Sequence, residues 1–202
     1  YPAFMMKGDK KTVPRQILIT GAAGFIGSHL TRRLLRDGYP VVALIKDTTD
    51  TRRIKDILPR LTVIRSNLAD YEGLKKSLNE INPCGIFHLA ASNIKSGVSA
   101  PEDELISVNV AGTVHLVRAL EGIDYQFFVN SGSYLEYGTH ERPFQESDLC
   151  EPLEIYALSK LAATLYCQAV ARSAGKPIIT FRIFSPYGPD MEPGRLAYEV
   201  IK

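Results

Sequence analysis

Three glycines at three-residue intervals, Gly21, Gly24 and Gly27, follow a short apolar run, Gln16 to Thr20. After them Phe25, Ile26, Leu30, Leu34 and Leu35 recur at helical spacing. The pattern reads as strand, tight turn, helix. Glycine inside a helix costs about 1 kcal/mol relative to alanine, so three of them point to places where a side chain would be in the way. In this setting the first glycine permits the turn. The second lets backbone approach a pyrophosphate, and the third lets helix and strand pack closely. The helix N-terminus then presents unpaired N–H groups to an anion. The spacing is Gly-x-x-Gly-x-x-Gly and not the common Gly-x-Gly-x-x-Gly, so the turn alone also admits a second reading, a strand-to-helix junction that binds nothing.

The alternation continues along the chain. Asp37 and Gly38 close the first helix, and Val41 to Ile45 form a β-branched run of strand length. Leu61 to Arg65 and Ile86 to Leu89 are further strands, with a helical segment, Tyr71 to Leu78, between them. A long helix from about Asp103 to Leu120, a fifth strand from Gln126 to Asn130, a helix from Ile155 to Ser173 and a sixth strand from Pro177 to Phe184 complete the series. This predicts the α/β class, a Rossmann-type doubly wound parallel sheet. Right-handed crossovers favour strand order 3-2-1-4-5-6, with a ligand crevice at the carboxyl ends of the strands. Candidate functional residues do follow strand ends: Gly21 the first, Lys46 the second, Ala90 and Ala91 the fourth, Ser131 to Ser133 the fifth.

A chain of 202 residues buries roughly 70% of its unfolded surface and needs no disulfide or metal to fold. One dinucleotide-binding domain over residues 16–189 is expected, preceded by a disordered or vector-derived extension, residues 1–15. The 24 basic and 22 acidic residues give a net charge of +2 without a basic stripe, so no nucleic-acid partner is expected. Cys84, Cys150 and Cys167 are widely spaced and read as reduced thiols. His88 and His115 lack partners at metal spacing and read as packing residues, so no metal site is expected. No apolar stretch approaches the ~20 residues of a membrane span, and a cytoplasmic protein is expected.

Tyr156 and Lys160 lie four apart in a helical segment and so share a face. A phenol, whose pKa is about 10 when free, becomes a usable base when a cation beside it favours the phenolate. The lysine can also hydrogen-bond a ribose. The spacing alone is common on helix surfaces. What distinguishes it here is its position after Ser131-Gly132-Ser133, whose hydroxyls are suited to bind a substrate oxygen.

Taken together, the motifs resemble the extended short-chain dehydrogenase/reductase family, the nucleotide-sugar epimerases, dehydratases and reductases. The likeness covers nearly all of Ile17 to Pro189. It rests on Ile-Thr-Gly-Ala-Ala-Gly-Phe-Ile-Gly-Ser-His-Leu from Ile19, His88-Leu89-Ala90-Ala91, and Asn109-Val-Ala-Gly-Thr113. It also includes Tyr137-Gly138, Tyr156-Ala-Leu-Ser-Lys160 and Phe181-Arg-Ile-Phe-Ser-Pro-Tyr-Gly-Pro189. The resemblance implies that Tyr156 is the general acid/base, Lys160 its pKa-lowering, ribose-binding partner, and Ser133 the hydroxyl on the reacting oxygen. It implies that Phe25 and Ile26 contact the pyrophosphate, Asn67 and Leu68 the adenine, Leu89, Ala90 and Ala91 the middle of the dinucleotide, and Phe184 the nicotinamide side. Asn109 would brace the site. Gly21, Gly24, Gly27, Lys46 and Ser131 complete the expected cofactor set.

In the implied chemistry Tyr156 takes a proton from a sugar hydroxyl while hydride leaves the same carbon for the oxidised cofactor. Epimerisation and ketone reduction are the two outcomes expected of a nucleotide-sugar substrate. Related 4,6-dehydratases carry Asp-Glu where this chain has Tyr134 and Leu135, which leaves dehydration an alternative with only Glu136 nearby. A non-catalytic dinucleotide-binding regulator is a second alternative. Ser185 stands where many relatives have a substrate-contacting asparagine. At the end of the second strand Ile45 and Lys46 replace the acidic residue that binds a free ribose 2′-hydroxyl. Lys46 therefore argues for NADP, with NAD, served by Asp47, the other possibility. The resemblance further implies a homodimer and a substrate-binding lobe that would begin in residues 190–202.

Overall fold

The structure is a computed structural model that describes residues 16–95, 98–191, 193 and 196–201. The extension expected over residues 1–15 lies outside the described residues. Strand β1 (Ile17–Thr20) and strand β2 (Val41–Ile45) are buried along their whole length. Strands covered on both faces must be apolar throughout, which is why they appear as unbroken hydrophobic runs. Helix α1 (Phe25–Arg36) joins them and buries Leu34 and Leu35.

Strand β3 (Thr62–Arg65) follows two short 3₁₀ turns, Arg52–Ile54 and Leu58–Arg60, that the sequence pattern did not signal. Helix α2 (Tyr71–Ile81) is capped by Asp70, whose carboxylate accepts the Gly73 N–H, and it ends at Asn82 in the left-handed conformation. Strand β4 (Gly85–His88) precedes a two-residue antiparallel ladder, β5 (Ile94–Lys95) and β6 (Val98–Ser99). The long helix expected next comprises α3 (Glu102–Leu105), a π-helical stretch Ile106–Ala111, and α4 (Gly112–Ala119). Strand β7 (Phe127–Ser133), a 3₁₀ turn Tyr134–Tyr137, helix α5 (Ile155–Ala174), strand β8 (Ile178–Ile183) and helix α6 (Leu196–Ile201) complete the chain.

The six-stranded sheet has the order β3-β2-β1-β4-β7-β8, with every pairing parallel. This is the doubly wound 3-2-1-4-5-6 arrangement. Alternate residues of a strand point to opposite faces, and the core divides accordingly. Leu18, Val42, Leu44, Ile86 and Phe128 pack on one face with Leu74, Leu78, Leu116 and Cys167 from the helices. Ile17, Ile19, Val41, Ala43 and Ile45 pack on the other with Leu34, Leu35 and Ile54.

One expectation is corrected by the sheet. Ser131, Gly132 and Ser133 do not follow the fifth strand; they are its last three rungs, paired in register with Phe181, Arg182 and Ile183 of β8. Pairing with the neighbouring strand carries the ladder through these polar residues. Cys84 and Cys167 are buried and Cys150 half-buried, all as free thiols. Among the described residues, no helix is long and apolar enough to cross a membrane.

Candidate active site

At the carboxyl ends of the strands lies a cavity of about 590 Å³, within the range of small-molecule and cofactor pockets. The glycine turn forms part of its wall: Gly21, Gly24, Phe25, Ile26 and Gly27 all line it. Gly21 has φ +73°, and a Cβ there would lie 2.7 Å from the Ala90 nitrogen. A Cβ at Gly27 would lie 2.1 Å from the Gly21 carbonyl oxygen. Both positions therefore exclude side chains. Among the described residues no side chain caps the N-terminus of α1, and its first turn holds no acidic residue, so its positive end is offered to the cavity.

Beyond β2 and β3, Lys46, Asn67 and Leu68 line the wall, together with Thr49 and Ser66. The Lys46 side chain is exposed, and its backbone N–H is fixed by the Thr49 hydroxyl at 2.9 Å. Asp47 is not part of the lining and pairs with Arg65 at 3.5 Å. Leu89, Ala90 and Ala91 form the middle of the cavity. Behind them the Ala90 N–H donates to the Thr20 hydroxyl.

Beyond β4 the cavity brings Ser131 and Ser133 of β7 together with Tyr156 and Lys160 of α5, all of which line the same space. Ser133 is nearly buried, and its hydroxyl oxygen accepts the Leu135 N–H at 3.3 Å. Tyr156 is half-buried. Lys160 is 4% exposed. Burial pushes its pKa down to about 8, opposed by the charge of Glu136.

Two expected residues are not in the lining. Asn109 is buried behind the wall: its side-chain oxygen accepts the Ser92 N–H at 2.8 Å, and its amide donates to the Ser92 carbonyl and to the Ser159 hydroxyl, each at 2.9 Å. Ser159 donates in turn to the Tyr156 carbonyl at 2.7 Å, so Asn109 is a brace and not a contact surface. Phe184 is 53% exposed and stacks on Tyr134, centroid to centroid 5.2 Å at 23°. The cavity surface there is Tyr134. Ser185 and Pro186 line the rim beyond β8. The chain is tied down just past them, where the Pro189 carbonyl meets His29 at 2.9 Å.

The sequence reading did not anticipate the roles of Glu136 and His88. Glu136 has no exposed surface, and its carboxylate pairs with Arg182 at 2.8 Å. His88 is a buried link between β4, β1 and α4, bonded to Thr20 at 2.7 Å and Thr113 at 2.9 Å. His115 meets the Leu68 carbonyl at 2.8 Å. Among the described residues no group of three or more His, Cys, Asp or Glu side chains is placed to hold a metal ion.

A sequence profile for the NAD dependent epimerase/dehydratase family matches residues 17–202. The chain belongs to this family. Among curated relatives of this epimerase/dehydratase chain, an uncharacterized UDP-glucose epimerase of Bacillus subtilis is 32% identical over 93% of the chain and 61% of its own length. A UDP-glucose 4-epimerase of Mycolicibacterium smegmatis is 34% identical over 87% of the chain and 58% of its own length. Among solved structures, UDP-glucuronic acid 4-epimerase from Bacillus cereus in complex with NAD superposes with a TM-score of 0.77 at 30% identity, over 92% of this chain and 63% of that one. The chain thus spans about 60% of the length of the relatives it matches.

Proposed function

We propose that this chain is the cofactor-binding part of a nucleotide-sugar epimerase or keto-sugar reductase, with Ser133, Tyr156 and Lys160 at the reacting carbon. The observation that carries this reading is the shared cavity: the glycine turn and the uncapped end of α1 line it together with Ser133, Tyr156 and Lys160.

The residues present fit a nicotinamide dinucleotide. The turn provides room and N–H donors for a pyrophosphate, and Asn67 with Leu68 a wall for the adenine. Lys160 provides donors for the ribose. When bound, the dinucleotide supplies hydride exchange with a sugar carbon. Tyr156 takes the proton of the sugar hydroxyl as that carbon is oxidised and returns one when it is reduced. The Lys160 ammonium favours the phenolate during this cycle. Ser133 donates to the reacting oxygen, stabilising the charge that develops on it. Asn109 and Ser159 hold the backbone of Tyr156 in place.

Dehydration is the weaker reading. Tyr134 and Leu135 occupy the cavity wall where an extra acid and base would have to stand, and the Glu136 carboxylate is buried and committed to Arg182. A regulator without catalysis is disfavoured by the joint presence of Ser133, Tyr156 and Lys160 in one cavity. NADP is the proposed cofactor because Lys46 lines the adenosine end while Asp47 is held by Arg65. The similarity to epimerases favours epimerisation over ketone reduction. Residues 190–202 would begin the substrate-binding lobe. Homodimerisation through the α3–α4 unit and α5 is supported by the exposed Ile106, Leu158 and Leu165.

The test is to incubate full-length protein with a panel of nucleotide sugars and follow cofactor absorbance. Stoichiometric consumption of NADPH identifies a reductase, and interconversion of sugars without net cofactor change an epimerase. Turnover of none of them would refute the proposal.

A further inference from the structure

The carboxylate of Glu136 is sealed from solvent yet is bonded to three elements that build the reaction end of the cavity. Its Oε1 accepts the backbone N–H of Ser133 at 2.8 Å and the hydroxyl of Thr164 at 3.1 Å. Its Oε2 accepts Nε of Arg182 at 2.8 Å. Ser133 ends β7. Thr164 lies one turn beyond Lys160 on the same face of α5, and Arg182 precedes the cavity residue Ile183 on β8.

Space for the carboxylate comes from Gly132. A Cβ there would lie 2.6 Å from Glu136 Oε1 and 2.8 Å from Thr180 Cγ2, which accounts for the glycine between two serines. A carboxylate kept from water is strongly destabilising unless it is paired and hydrogen-bonded, and here one of its three partners, Ser133, lines the cavity. Glu136 is also the stronger of the two groups that oppose the effect of burial on Lys160, ahead of Cys167.

We propose that Glu136 is a positioning residue of the reaction site. Its one carboxylate locks Ser133 at the end of β7 against the face of α5 that carries Lys160, and its charge favours the ammonium form of that buried lysine. The inference rests on the reaction proposed above. The other titratable groups around the pair are Cys167 on α5, the neutral His88 on β4, Arg182 on β8, and Tyr137 and Cys150 between β7 and α5.

The test uses full-length protein with two variants. Glu136→Gln keeps an oxygen for Ser133 and Thr164 but removes the charge. The double variant Glu136→Leu/Arg182→Leu replaces the buried pair by apolar groups, a change that folds tolerate when the volume is kept. In protein labelled with ¹³C at lysine Cε, with the Lys160 signal assigned by Lys160→Met, the titration midpoint of Lys160 should fall by about one pH unit in Glu136→Gln, whereas the double variant, which loses the Arg182 cation together with the carboxylate, should keep a midpoint close to that of the parent. In Glu136→Gln the alkaline limb of the kcat/KM profile should move down by the same interval, with about a fivefold loss of kcat/KM at pH 8, and the double variant, its Ser133 no longer held, should lose kcat/KM at every pH. A purely structural ion pair would move neither. An unchanged Lys160 midpoint in Glu136→Gln, or a double variant with the kcat/KM of the parent, would overturn the proposal. If the parent turns over no nucleotide sugar, the reaction assignment fails, while the midpoint still decides the role of Glu136.

Discussion

Lowering the pH from 7 to 5 should cost this fold about 2 kcal/mol through one buried imidazole. His88 is 2% exposed and sits in a directional hydrogen-bond chain. Thr113 donates its single hydroxyl proton to the Asn109 carbonyl at 2.6 Å, so Nε2 of His88 must donate to Thr113 at 2.9 Å. Nδ1 must then accept from the Thr20 hydroxyl at 2.7 Å, leaving the Thr20 oxygen to accept the Ala90 N–H at 3.2 Å. A second ring proton would set donor against donor.

Burial, assisted by the charge of Lys160, pushes the His88 pKa from 6.5 down to about 3. Below pH 6.5 the unfolded chain takes up a proton that the folded chain refuses, so stability falls as the pH drops, until both states are protonated near pH 3. The full loss is about 5 kcal/mol at one pKa unit per 1.4 kcal/mol, comparable to the whole stability of a small domain. Asp56 and Asp148, each held at about 2 by its arginine, contribute stability above their unfolded pKa of 3.8 and lose it only at lower pH. The interval from pH 7 to 5 therefore isolates the histidine. Urea unfolding of the parent and of His88→Gln at pH 7, 6 and 5 measures it. The stability difference between them should shift by about 2 kcal/mol in favour of the variant across that interval. Parallel curves would refute the buried neutral tautomer.

Other consequences concern the two lysines. With its pKa at about 8 against 10.5 unfolded, the charged form of Lys160 is disfavoured by folding, and stability should rise by about 3 kcal/mol as pH climbs between those values. Lys160→Met should abolish that rise and raise the unfolding midpoint at pH 7 while eliminating turnover; a flat parent profile would contradict this. Lys46→Ala should weaken NADPH binding roughly tenfold and leave NADH nearly unaffected, as titration calorimetry with both would show. An unchanged preference would remove the case for NADP.

The elements most legible in the sequence were those whose burial is uniform. Ile17 to Thr20 and Val41 to Ile45 sit between two helical layers, so their pattern carries no polar interruption to misread. The end of β7 was obscured because Ser131 and Ser133 are polar for the sake of the cavity, while the rungs they occupy are set by β8, about 50 residues away. The π-helical stretch at Ile106–Ala111 leaves the apolar periodicity of a long helix nearly intact, so only coordinates reveal it. Gly21, Lys46 and Ala90 line one cavity because strand ends of a doubly wound sheet converge, and Tyr156 and Lys160 reach it from one face of α5. Phe184 shares that convergence but is turned onto Tyr134. Glu136 appeared as a stray carboxylate, since nothing local tells that Arg182 will meet it across two strands.

The central claim is that the Tyr156 phenol exchanges the proton while hydride is exchanged in the same cavity. Steady-state turnover of full-length Tyr156→Phe against the parent, with dinucleotide affinity measured in parallel, tests it most directly. Loss of kcat by a factor of about 100 or more with binding nearly unchanged is the expected result. Turnover equal to that of the parent would contradict it.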